Sequence, residues 1–175
     1  MKIGHGQFLQ DVEVIEMMYQ SCDGLRHDGV PKGRQWLAAM ASGPMGQIQE
    51  TTAEMHEYLR IPDPLPAVPL PADADPPPGV TDRLQFQTAL TSFLRLYRGL
   101  GEFKKEIGQY HPNLYAKIAN QVIPQMHAVR AALHAYLAWD QIEQTLDEME
   151  QQFANTSANG APADATPEPA AEPRK

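Results

Sequence analysis

Between Asn113 and Phe153 apolar side chains recur at Tyr115, Ile118, Val122, Met126, Val129, Leu133, Tyr136, Trp139, Ile142, Leu146, Met149 and Phe153. Every step is three or four residues, the spacing that gathers side chains on one side of an α-helix. At 1.5 Å per residue such a helix is roughly 60 Å long. A single apolar stripe of that length cannot bury itself, so the chain must supply partner helices.

Three upstream stretches answer that need. Phe8, Val12, Ile15, Tyr19 and Cys22 form one face of a first helix expected over Gln7–Ser21, ended by Asp23-Gly24. A second helix opens at Pro31 and carries Trp36, Leu37 and Met40. Ser42-Gly43-Pro44 interrupts it, and the seam resumes at Met45, Ile48, Thr52, Met55 and Leu59. A third starts at Thr81, follows Phe86, Leu90, Phe93, Tyr97 and Leu100, then slips to Phe103 or Lys104 before Ile107, and stops at His111-Pro112. Gly99 and Gly101 flank Leu100, which admits a close neighbour or marks a weak point. Pro124 falls inside the last stretch, where proline kinks a helix or begins a new one. The expected architecture is all-α: an up-down antiparallel four-helix bundle over residues 1–155, its second and fourth helices broken at proline.

Two segments stand apart. Residues 61–80 contain eight prolines, which excludes helix and central strand and favours an extended strap. Pro66-Ala67-Val68-Pro69 has the spacing of a proline-rich docking ligand, but no basic residue flanks it closely, and a semi-rigid connection is the plainer reading. Residues 156–175 lack any large apolar side chain and include four prolines, the composition of a disordered tail.

Composition narrows the function classes. A net charge of −8 over 175 residues argues against non-specific binding to nucleic acid or an anionic membrane. The single cysteine, Cys22, excludes an intrachain disulfide and any zinc site needing two thiolates. The start, with acidic residues from Asp11, does not read as a secretory signal, and no run is long enough to span a bilayer. These features lead to the expectation of a chain in a cytoplasm, or carried from one as part of an assembly, with no membrane partner.

No residue pattern points to a catalytic residue, metal site or cofactor. Glu-x-x-His, the ligand pair of di-iron bundles, does not occur. His127 and His134, seven apart, share a helix face and carry an alternative reading as a metal-binding bundle. The plainer expectation puts all six histidines on polar flanks or in loops. Cys22 lies on an apolar seam near a helix C-terminus, where the dipole opposes a thiolate, and reads as a small hydrophobe. Neither a nucleophile elbow nor a phosphate-cradling loop is present. Met17, Met18, Met40, Met45, Met55, Met126 and Met149 lie on or beside the seams and read as core before they read as an adaptable groove.

Charge is unevenly distributed. Residues 81–117 hold six basic groups against three acidic; residues 131–175 hold eight acidic groups against Arg174 and Lys175. Arg95, Arg98 and Lys105 line one side of the third helix, the alternative site for nucleic acid in a nucleoprotein subunit. Glu102 within that stripe suits intramolecular ion pairs equally well. Trp139, Ile142, Leu146, Met149 and Phe153 continue the seam beyond what a short first helix covers, with like charge on either side. They are the expected partner-binding residues, for a protein partner or self-association through the basic third helix of a second copy. The reading reached is a non-enzymatic helical interaction protein: an adaptor, or an accessory or assembly subunit.

Overall fold

A computed structural model describes residues 3–61 and 79–159. The described residues are all-helical and contain no strand. Five α-helices occur: α1 (His5–Gly29), α2 (Arg34–Leu59), α3 (Arg83–Phe103), α4 (Pro112–Leu137) and α5 (Trp139–Asn159). A 3-10 turn over Val30–Lys32 joins α1 to α2, and a π-helical turn over Lys104–Gly108 follows α3. The proline-rich strap from residue 62 to 78 and the tail from 160 onward lie outside the described residues. Residues 156–159, expected to belong to the tail, are the end of α5.

The first helix is longer than its local sequence signals. Asp23-Gly24 does not end it, because Asp23 points inward and is buried. Tyr136 Oη donates to Asp23 Oδ1 at 3.1 Å, and Arg83 Nε lies 2.9 Å from Oδ2, an ion pair bent away from hydrogen-bond alignment. Arg26 then lies over the Tyr136 ring at 4.0 Å. These tertiary contacts outweigh the modest penalty of a mid-helix glycine. The turn into α2 needs Gly33, whose φ of 91° an L side chain rarely adopts.

Neither internal proline is a helix boundary. Pro44 lies within α2 and Pro124 within α4. A proline frees the carbonyl four residues before it. Those residues, Met40 and Asn120, are exposed, so water can satisfy what the helix does not. The fourth stretch divides instead at Ala138, in the left-handed conformation at φ 55°. Its N–H bonds to Ala135 and His134 carbonyls, capping α4, and its carbonyl accepts from Gln141 and Ile142, opening α5. The bend lets Tyr136, Leu137 and Trp139 all bury, which one straight helix face could not accommodate.

Contacts set the helix directions. Phe8 and Tyr58 pack ring to ring at one end of the α1–α2 hairpin, and Gly29 abuts Leu37 at the other. Across α1 and α3, Phe8 meets Gly101, Tyr19 meets Phe93, and Asp23 meets Arg83, so these two are antiparallel. Across α3 and α4, Phe103 meets Tyr115 and Phe86 meets Tyr136, again antiparallel. Hence α2 and α3 run parallel, and the order is up-down-down-up rather than the alternating one expected. Short connections enforce antiparallel neighbours; a connection spanning 61–80 carries no such constraint. The core is formed around Phe8, Ile15, Tyr19, Ile48, Met55, Phe86, Phe93, Tyr97 and Met126. A helix α1 of 25 residues, about 37 Å, reaches past the α3–α4 hairpin. The first turns of α5 pack there against α2.

Candidate functional site

The five residues expected to meet a partner divide between two environments. Trp139 and Ile142 pack inside their own chain, Trp139 being 3% exposed. His134 stacks on Trp139 at 4.1 Å with planes 2° apart, and Trp139 Nε1 donates to Glu143 Oε1 at 2.8 Å. They are therefore not available surface, because α1 and α2 extend far enough to cover them. Leu146 and Met149 are half-buried, and Phe153 is 70% exposed. Glu148 is drawn to Arg34 at 2.7 Å, the last charged link between α5 and α2 in chain order. From residue 151 to 156 every residue is exposed, so the helix continues for more than a turn without support.

The basic stripe is largely engaged within the chain. Arg98 lies 3.5 Å from Glu16, and Lys105 lies 3.9 Å from Glu102. Arg95 is exposed and enters no ion pair among the described residues.

Histidine placement departs from the expected polar flanks. His56 is fully buried, 2.7 Å from the Tyr97 hydroxyl. His134 Nε2 lies 2.9 Å from the Tyr19 hydroxyl, and burial, followed by the nearby Arg130 charge, pushes its pKa down to about 3. His127, its expected companion, is half-buried, and among the described residues no group of three metal-ligating side chains comes together. Cys22 is buried, and desolvation pushes its thiol up to about 11, which leaves it an apolar filler. Buried Asp11 receives Gln7 Nε2 at 2.7 Å on one oxygen.

A feature that sequence reasoning missed lies at the other end. A cavity of about 770 Å³ opens where α1 and α4 begin and α2 and α3 end. Tyr115, Ala119, Ile61 and Ile123 form an apolar wall; Arg60, Lys104 and Lys105 give it a cationic rim, with His5 beside them. Arg60 is placed by the left-handed cap of α2, φ 56°, its N–H bonded to Glu57 and His56 carbonyls. Lys104 and Lys105 ride on the π-helical turn, a widening enriched at functional sites. One signal pointed there: the seam slipping between Phe103 and Lys104, as one inserted residue shifts the helical phase. Tyr115 Oη donates to the Leu59 carbonyl at 2.7 Å, tying the two helix ends that frame the opening.

Comparison with known protein families, curated proteins and solved structures finds no match to this chain. Among the described residues, no helix is long and apolar enough to cross a membrane.

Proposed function

We propose that this chain is a non-enzymatic helical interaction protein that offers the distal part of α5 to a protein partner. The observation that carries the reading is Phe153, exposed beyond Met149 on a helix whose residues 151–156 are all exposed among the described residues. A free helical end is marginal in water, and ordering it against a partner removes that weakness. The exposed acids Asp147 and Glu150 flank the apolar strip, so the fitting surface is an apolar groove with a basic rim. The basic face of α3 on a second copy suits it less, since Arg98 and Lys105 already face Glu16 and Glu102 and Arg95 alone is exposed outside an ion pair among the described residues. The cavity rimmed by Arg60 and Lys104 is concave on the scale of a small molecule rather than a helix. The partner is therefore a different protein.

Affinity capture from the native source tests this, comparing the wild type with Phe153→Asp and with an Asp147→Lys/Glu150→Lys double variant. A specific partner should be lost in both, with folding intact by circular dichroism. Retention by both variants sinks the assignment. Sedimentation across salt concentration checks the choice of partner: a dimer at low salt would return the second copy to consideration. Salt-sensitive binding to oligonucleotides, abolished by changing Arg95, Arg98 and Lys105 to glutamate, would favour the nucleoprotein reading instead.

A further inference from the structure

The cavity at the opposite end of the bundle holds a charge arrangement that the described residues do not complete. Arg60 and Lys104 both line it, and neither has a carboxylate within ion-pair distance among the described residues. Glu102, the nearest acid on α3, is held by His5 at 3.0 Å and approached by Lys105 at 3.9 Å. Glu57 lines an adjoining hollow with Arg60 and Lys104 but closes an ion pair with neither. The Lys104 ammonium rests 4.5 Å over the Tyr58 ring. Burial, and secondarily the Arg60 charge, lower its pKa: its surroundings disfavour a cation that no described carboxylate pairs. Two like charges gathered at a half-enclosed site destabilise the empty protein, and a bound anion reverses the sign of that effect.

Size and lining define the rest of the ligand. A volume of about 770 Å³ falls within the range of small-molecule sites and far exceeds one inorganic anion. Tyr115, Ile123 and Ala119 add an apolar surface to the same cavity. We propose that this cavity binds a small organic phosphate, its phosphoryl group between Arg60 and Lys104 and its apolar or aromatic body against Tyr115 and Ile123. Arg60 supplies a planar fork for two phosphate oxygens and Lys104 a point charge, the complementary roles these side chains take at phosphates.

The test is calorimetric titration of the full chain at low salt with phenyl phosphate and, separately, inorganic phosphate. Phenyl phosphate should bind, with affinity falling as salt rises. Arg60→Gln and Lys104→Gln should each weaken it at least about ten-fold, as expected for loss of a charge-assisted bond. Lys105→Gln, whose charge already faces Glu102, should change it less than about three-fold. Ile123→Trp, placed in the apolar wall, should weaken phenyl phosphate while sparing inorganic phosphate. Thermal unfolding of each variant separates misfolding from loss of the site, and Lys104→Arg should restore binding at least in part. Absence of binding at millimolar ligand, or equal binding by wild type and the Arg60→Gln/Lys104→Gln double variant, overturns the proposal. Equal affinity for the two ligands removes the organic body from it. Residues 62–78 include Asp63, Asp73 and Asp75. If asparagine at all three strengthens phenyl phosphate binding ten-fold or more, the counter-charge is the chain's own, and the proposal fails.

Discussion

At the end where α1 begins, side chains from four helices converge on a cavity, and the excess charge is positive: Arg60, Lys104 and Lys105 against Glu102. Along α2, roughly 39 Å away, α5 leaves the bundle carrying Asp147 and Glu150 beside an exposed Phe153. The first end is concave and enclosed by packed elements, which suits a small ligand. The second is convex and unsupported, which suits a macromolecular groove. The difference comes from how each end is braced. The cavity end is tied by Tyr115 to Leu59, His5 to Glu102, and Phe8 set into the space above Gly101. Ile142, Thr145 and Leu146 still pack inward beyond the junction at Trp139, but past them α5 is held to α2 by the exposed Arg34–Glu148 pair, which contributes little.

The largest expected effect concerns the junction. His134 is neutral in the native state, with a pKa of about 3, whereas an unfolded histidine titrates near 6.5. The unfolded chain therefore binds a proton that the folded chain refuses. This costs the fold nothing above about pH 6.5 and removes stability progressively as pH falls toward 3, roughly 3–5 kcal/mol in all. Urea unfolding from pH 7 to pH 4 should reveal the loss, and His134→Leu should flatten it. An unchanged slope in that variant would assign acid sensitivity elsewhere and remove the contrast at the junction.

Next is the braced end. A Cβ added at Gly101 falls within the van der Waals envelope of the Phe8 ring, which is fully buried and cannot swing out. Gly101→Ala should cost about 2–3 kcal/mol, the range for overpacked cores, read from the midpoint of denaturant unfolding. An effect below about 0.5 kcal/mol would mean this end is looser than its contacts imply.

A smaller, opposite change is expected at Ala138. Its left-handed backbone is strained for any residue with a Cβ. Ala138→Gly should relieve that strain and, after the added freedom of the unfolded chain, stabilise by about 0.5–1 kcal/mol. A loss of stability would show that the bend depends on the methyl group.

Smallest of all is Phe153→Ala, which should alter stability by less than about 0.5 kcal/mol, because an exposed ring loses nothing it had buried. Amide exchange after residue 150 should be fast in the isolated protein and slow with a partner bound. Protection of those amides in the free chain would break the contrast between a braced and an unsupported end.

Much of the helical layout was legible because side-chain periodicity reports directly which face is buried. Phe8, Val12, Ile15, Tyr19 and Cys22 pack together as their spacing requires, and His111-Pro112 separates α3 from α4 where proline demands it. Local punctuation was less dependable. Asp23-Gly24 reads as a stop but is overridden by Tyr136 and Arg83, partners more than fifty residues away in sequence. Ala138 gives no local sign of a break, since alanine is the best helix former. The cavity was the least visible feature: Arg60, Lys104 and Lys105 come from distant elements, and only a slip in the third seam hinted at the π-helical turn.

The sequence by itself determined the all-helical class, the seams that face inward and the acidic character of the last helix, since each depends on neighbours within one or two turns. Tertiary structure decided the rest. It set the parallel course of α2 and α3, the length of α1, the bend at Ala138, the burial of His56 and the stacking of His134 on Trp139. It also gathered cations around an apolar cavity. Those features depend on free energies between residues far apart in sequence, where one buried carboxylate or stacked ring outweighs the small local preferences that a linear reading can weigh.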